Sequence, residues 1–317
     1  MDLGVFGLGG APMGNLGTPV SDEDALGAIE AAWTAGVRFF DTAPHYGLGL
    51  AERRLGMGLA GRPRHDFVVS TKIGRVLVLS DNAQGAIDNE GFAVPATFRR
   101  VRDYSRDGVM QSLESSLQRL RLDRVDIVLV HDPDEFYEEA LEGAFPALHD
   151  LRAQGVIRAY GAGMNQSEML ADFVRNTDLD VILLAGRYTL YEQGALDELL
   201  PLCVARGVSV IAGGVFNSGL LATDQPGPLT TYNYAPPPPD VLQRVQQIAS
   251  VCERHGVSLP AAAVQFVVAH PAITTACLGA RTAAEVQRNA TLFEANIPVA
   301  VWAELKAAGL MRDDAPV

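Results

Sequence analysis

Residues 125–131 read Val-Asp-Ile-Val-Leu-Val-His, an almost continuous apolar run closed by one ionisable side chain. Residues 37–42, Val-Arg-Phe-Phe-Asp-Thr, and 67–72, Phe-Val-Val-Ser-Thr-Lys, repeat that pattern. A strand with one wet face alternates apolar and polar residues. These runs do not alternate, as expected of parallel strands covered on both faces. Five further runs complete the series, at 4–9, 156–163, 179–185, 208–213 and 273–279. Helical patterns lie between them, at Ser21–Ala35, Asp107–Arg121, Ser167–Asn176, Asp197–Arg206, Asp240–His255 and Pro260–His270. In the first of these, Ser21 or Asp22 serves as N-cap and Gly36 as the stop. Eight strands separated by helices predict an α/β fold, a (β/α)₈ TIM barrel in one domain. A doubly wound open sheet shares the alternation and is the competing architecture.

The glycines near the N-terminus weigh against that competitor. Gly7-Leu8-Gly9-Gly10-Ala11-Pro12 fails the GxGxxG dinucleotide fingerprint, because Pro12 occupies the third glycine position. No Rossmann domain is therefore expected. Two connections are long, at about 73–105 and 214–239, and the second ends in Pro236–Pro239. Long loops in compact domains usually bind or cover something, so both are placed over the barrel mouth. Arg99, Arg100 and Arg102 in the first loop are expected to be solvated. Tyr232, Asn233 and Tyr234 in the second either face a sugar ring or anchor the loop.

Composition narrows the function. The chain has 317 residues, 48% hydrophobic and 20% charged, with 25 basic against 38 acidic residues and a net charge of -13. Such a field repels polyphosphate, so neither nucleic acid nor an anionic membrane is an expected partner. No apolar stretch is long enough to span a bilayer, and the first residues lack a signal-peptide pattern. Cys203, Cys252 and Cys277 are odd in number and far apart, which fits neither a disulfide framework nor a metal site. A reducing cytoplasm is the expected setting, with no metal and a small-molecule substrate.

The ionisable strand ends carry the chemistry. Asp41, Lys72 and His131 each close a strand, and Tyr46 follows in Pro44-His45-Tyr46-Gly47. A barrel gathers all of these on one rim. A charged group ending a buried strand is costly unless paired, and Asp41 can pair with Lys72. A nearby ammonium is expected to lower the phenol pKa of Tyr46 from about 10 and suit it to proton transfer. His131 is placed to share the substrate oxygen. His45 is either a substrate contact or a solvated loop residue. Taken singly, an Asp–Lys pair or a strand-end His is usually structural. Four suitable groups on three successive strand ends make a catalytic reading the stronger one.

These residues resemble the aldo-keto reductase superfamily. The matching segments are Phe40-Asp41-Thr42-Ala43 with Tyr46-Gly47, Glu52 with Leu55-Gly56, Thr71-Lys72, Ser112-Leu113 through His131, and Gly279-Ala280-Arg281 with Asn289. Segments 103–108, 131–134 and 231–236 are similar to the branch that oxidises D-threo-aldoses, L-fucose and pyridoxal. The resemblance implies a catalytic tetrad of Asp41, Tyr46, Lys72 and His131, and an NAD or NADP cofactor. It implies that Asn165 binds the carboxamide, although Met164 replaces the usual preceding Ser. It places the pyrophosphate on Gly213, Gly214, Phe216, Asn217 and Ser218, and the adenosine end on Gly279, Arg281, Glu285 and Asn289. Glu285 stands where many NADP-preferring relatives carry Arg and repels a 2′-phosphate, whereas Arg281 attracts one. The balance is read as NAD. The implied reaction is hydride transfer from C1 of an aldose, giving a lactone. The alternatives on the same four residues are an aldehyde or carbonyl reductase and a pyridoxal 4-dehydrogenase. A nicotinamide-binding regulatory protein without turnover is the further alternative, and the complete tetrad speaks against it. Oligomeric state is not legible here.

Overall fold

The computed structural model describes residues 1–80 and 85–317. Eight parallel strands close into a barrel. They are β1 (Phe6–Gly9), β2 (Phe39–Asp41), β3 (Val68–Ile73), β6 (Ile127–His131), β7 (Ala159–Met164), β8 (Val181–Ala185), β9 (Ser209–Gly213) and β10 (Ile273–Gly279). The order around the barrel is β1-β10-β9-β8-β7-β6-β3-β2, with β2 pairing back to β1. The predicted barrel is therefore present, although Phe6–Gly9 and Ala159–Met164 begin later than the apolar runs. Val5 and Val156 are exposed, so apolarity alone overextended those two strands.

The two faces of each strand go to different cores, which explains the absence of alternation. Phe39, Val68, Ile127, Leu129, Val181, Leu183, Ile211 and Cys277 fill the barrel interior, and Leu3 packs with them. Phe40, Val69, Val128, Val130, Ile182 and Val210 belong to the larger cluster between the barrel and its helices. The Phe39 ring needs a bare position on its neighbour: a Cβ on Gly7 would lie 2.5 Å from its Cδ1. This period of two decides the site. On β2, β3 and β6 it turns Asp41, Lys72 and His131 inward, two residues beyond inward-facing Phe39, Ser70 and Leu129.

The helices start where the sequence offers caps. Ser21 Oγ accepts from the Asp24 amide ahead of α1 (Asp22–Thr34). Ser105 Oγ accepts from Gly108 ahead of Arg106–Leu120, and Ser258 from Ala261 ahead of Leu259–Val268. Pro239 is the first residue of helix Pro239–Arg254, so the proline run leads into it as expected. Helices Leu50–Leu59, Phe145–Ala153 and Val299–Ala307 lie outside the helical patterns of the sequence. The first carries glycines at 56 and 58, which weaken a periodicity argument. Gly56 is required by packing, since a Cβ there would lie 2.1 Å from the Leu120 carbonyl oxygen.

One expected loop is ordered structure. The segment 73–105 holds an antiparallel hairpin, β4 (Arg75–Leu79) paired with β5 (Phe98–Arg102), with Arg75 opposite Arg102. Part of that loop, 81–84, lies outside the described residues. Arg100 is not solvated as expected. Its side chain is 4% exposed, bonds both carboxylate oxygens of Asp88 and donates to the His45 carbonyl 3.0 Å away.

Candidate active site

Asp41, Tyr46, Lys72 and His131 meet at the C-terminal mouth of the barrel. Lys72, 1% exposed, donates to Asp41 Oδ2 at 2.7 Å and to the Thr42 carbonyl at 2.9 Å. Ser70, one pleat below Lys72 on the same inward face, donates to Asp41 Oδ1 at 2.6 Å. Asp41 is thereby satisfied at both oxygens, as a buried carboxylate must be. The Lys72 ammonium sits 4.7 Å from the Tyr46 ring centroid. The Tyr46 and His131 rings meet edge to face, with centroids 5.8 Å apart. Phe92, from the 73–105 segment, flanks Tyr46 at 6.1 Å and His45 at 5.0 Å.

The electrostatics differ from the sequence expectation in one respect. Burial pushes the Tyr46 phenol above its ordinary pKa, and the opposing pull of Lys72 does not overcome it. Burial also works against the Lys72 ammonium, yet Asp41 and Tyr46 more than offset it and hold Lys72 above its usual range. Lys72 therefore stays charged while Tyr46 keeps its proton. Burial and then Arg75 drive His131 well below its usual value, so its imidazole is neutral at pH 7. His45 is driven down to about 2, by burial first and then by Arg75, Arg100, Arg102 and Lys72.

His45 gives a prediction. Its Nδ1 is buried without a hydrogen-bond partner among the described residues, and Glu90 is 3.8 Å away. The unfolded chain takes up this proton near pH 6.5, while the folded chain resists it down to about 2. Stability is full above pH 6.5 and is lost as the pH falls below it. Between pH 7 and 5 one such group costs about 2 kcal/mol, from ~1.4 kcal/mol per pH unit below ~6.5. Urea unfolding at the two pH values should show a smaller acid loss in His45→Phe by about that amount. Equal losses in the two proteins would refute the assignment.

The remaining rim is bare. Going round from β7 to β1, the inward positions at the mouth are Gly163, Ala185, Gly213, Gly279 and Gly9. The charged half of the rim is β2, β3 and β6, and the half without large side chains lies opposite. Gly214, at φ +59°, turns the chain so closely that a Cβ would meet the Gly186 amide at 2.9 Å. Asn165 donates to the Ala185 carbonyl at 2.8 Å. Asn217 is buried, accepts from Thr189 at 2.7 Å and donates to Gly186 at 3.2 Å, so its side chain ties two loops together. Ser218 has φ +61°, and its carbonyl accepts from Thr231. Phe216 is half-buried against the core.

At the end of β10, helix Ala283–Phe293 is capped by Thr282, and Glu285 accepts from the Arg281 amide at 2.7 Å. Arg281 Nε is buried with no partner among the described residues. Asn289 reaches the Gly279 carbonyl at 3.5 Å. A glycine-lined half-rim, a tight turn of small residues and an unpaired guanidinium nitrogen fit a dinucleotide with its phosphates toward 213–219 and 281.

Sequence reasoning assigned no role to Asp132, Arg75, Phe92 or Ser70, all of which belong to this neighbourhood. In the sequence Asp132 stands out only as part of the segment 131–134, with no role of its own. Its left-handed φ of +41° is a structural fact with no sequence signal beyond Asp's tolerance of it. The quoted Glu52 and Thr71 lie behind the site. Thr71 donates to Glu52 at 2.8 Å and Arg119 donates at 2.6 Å, which fastens helices Leu50–Leu59 and Arg106–Leu120 to β3. Tyr232 is half-buried, bonds Glu192 and meets Tyr191 edge to face, so it anchors its loop, while Tyr234 is 76% exposed.

The model of the aldo/keto reductase family matches residues 5–309. The chain belongs to that family. A D-threo-aldose 1-dehydrogenase from a Pseudomonas species is 44% identical, over 96% of this chain and 94% of that protein. A pyridoxal 4-dehydrogenase from Microbacterium luteolum is 39% identical, over 96% and 94% respectively. A holo-form aldo-keto reductase from Bacillus halodurans superposes with a TM-score of 0.75 at 23% identity, covering 97% of this chain and 92% of that one. The chain is an oxidoreductase acting on CH–OH groups, and its family uses NAD(P).

Proposed function

We propose that this protein is an NAD-dependent aldose 1-dehydrogenase, converting an L-fucose or D-threo-aldose type sugar to its lactone. The carrying observation is the buried Lys72–Asp41 pair set 4.7 Å from the Tyr46 ring and beside a neutral His131. Bound nicotinamide dinucleotide supplies the hydride acceptor, and Asn165, residues 213–218, Gly279, Arg281, Glu285 and Asn289 would hold it. In the oxidative direction Tyr46 gives up its own proton and takes that of the C1 hydroxyl, ending as the phenol. Lys72 stabilises the phenolate present before that transfer, and Asp41 keeps Lys72 charged and in place. Neutral His131 donates a hydrogen bond to the same oxygen and orients it. The hydrogen bond that the Arg281 amide donates to Glu285 fixes a carboxylate at the adenosine end, which supports NAD over NADP. The three buried, unpaired cysteines support a reducing compartment, the cytoplasm.

A second substrate class has its own support. Phe92 and His45 give the mouth an aromatic flank suited to a flat ring, and one close relative is named for pyridoxal. Incubation with NAD⁺ or NADP⁺ and a panel of aldoses, pyridoxal and simple alcohols, followed by absorbance of the reduced nicotinamide, separates the readings. Turnover of L-fucose or a D-threo sugar with NAD⁺ is expected. Activity on pyridoxal alone would move the assignment to the second class, and tight cofactor binding without any turnover would point to a regulatory protein.

A further inference from the structure

Asp132 sits immediately beyond His131, in a conformation that L residues rarely adopt, at φ +41°. Such a residue persists only where its surroundings over-determine it. Here they do. Its amide donates to the Gly163 carbonyl at 3.1 Å. Its carbonyl accepts from Tyr104 Oη at 3.1 Å and from Arg102 Nη1 at 3.2 Å. Tyr104 also donates to the His131 carbonyl at 2.9 Å. The side chain is held as firmly: Arg75, on β4, donates to Oδ2, which lies 3.5 Å from His131 Nε2. Among the described residues no hydrogen bond reaches Oδ1, and the side chain is 27% exposed. Arg75 thus holds the carboxylate, and Arg102 and Tyr104 hold the backbone carbonyl of the same residue, beside the histidine that addresses the substrate oxygen. A carboxylate accepts from hydroxyls and has little affinity for an apolar substrate flank.

We propose that Asp132, positioned by Arg75, is a specificity residue that accepts a hydrogen bond from the hydroxyl next to the reacting carbon of an aldose. The assignment rests on the aldose reading of the site. His131 addresses the oxygen on the reacting carbon. The carboxylate 3.5 Å from its Nε2 then lies one substituent further along the sugar, at the C2 hydroxyl. A substrate without that hydroxyl leaves the carboxylate's Oδ1 without a partner while Arg75 still holds Oδ2, which is the stronger form of discrimination. A purely structural role would leave Asp132 as a staple between the hairpin and the barrel, indifferent to what the sugar carries at C2.

The test is a cycle of two proteins and two substrates, with NAD⁺ or whichever cofactor supports turnover. Wild type and Asp132→Asn are each assayed on L-fucose and 2-deoxy-L-fucose. Wild type should favour L-fucose in kcat/KM by about 10- to 100-fold, the range for a hydrogen bond to a charged group. Asp132→Asn should lose most of that preference, with the loss in KM for L-fucose and little change for the deoxy sugar. Equal losses on both sugars, or a wild type indifferent to the C2 hydroxyl, would overturn the assignment while leaving the aldose reading intact. No aldose turnover by wild type would overturn both. The wild-type comparison stands even if the variant does not fold.

Discussion

Tyr46→Phe should lower turnover by roughly 10²–10⁴-fold, the range for removing a positioned general acid–base group. The ring keeps its shape, so its packing against Phe92 and its edge contact with His131 persist. Cofactor affinity, read by fluorescence titration, should stay nearly unchanged, and the unfolding midpoint should stay near wild type. Burial holds the phenol protonated, which has a directional consequence. In the oxidative direction Tyr46 must give up its own proton before or while it takes the substrate's. The oxidative rate of wild type should therefore rise with pH across the neutral to alkaline range, and the residual rate of Tyr46→Phe should lack that rise. Unchanged turnover in the variant would remove Tyr46 from the chemistry.

Lys72→Met should cost both activity and stability, by about 3–5 kcal/mol for stability, because it leaves a buried carboxylate without its cation. Asp41 would keep only the Ser70 hydroxyl as a partner. The double variant Asp41→Asn with Lys72→Met removes both charges and should recover much of the lost stability. It should recover none of the activity, since no ammonium remains to stabilise the phenolate. Urea midpoints and turnover measured on the three proteins separate the two roles. If Lys72→Met unfolds at the wild-type midpoint, the pair is not the buried unit described above.

The barrel was legible because its strands are buried on both faces, and continuous runs such as Ile127–His131 admit few other readings. The four central site residues were legible for a related reason. An ionisable group at the end of an apolar strand is conspicuous, and the period of two then turns Asp41, Lys72 and His131 inward together. What sequence could not supply was the balance of burial against charge. Lys72 is a neighbour that lowers the phenol pKa of Tyr46, yet burial outweighs it, and burial depends on Phe92 and the closed barrel mouth. The hairpin was hidden as well. Its strands, Arg75–Leu79 and Phe98–Arg102, carry arginines whose partners Asp88 and Asp132 are remote in sequence or read as loop. The bare half of the rim was legible as a glycine-rich turn, but Asn217 shows the limit of that reading. Its side chain is committed to Thr189 and Gly186 and its backbone amide to the Gly214 carbonyl at 2.8 Å, so that residue shapes the turn.

The central claim is that hydride leaves C1 of an aldose. L-fucose carrying deuterium at C1, incubated with the protein and oxidised cofactor, tests it directly. The account predicts one deuterium in each reduced nicotinamide formed, a matching amount of lactone, and a slower reaction than with unlabelled sugar wherever the hydride step limits the rate. Reduced nicotinamide without deuterium, formed from the labelled sugar, would contradict it.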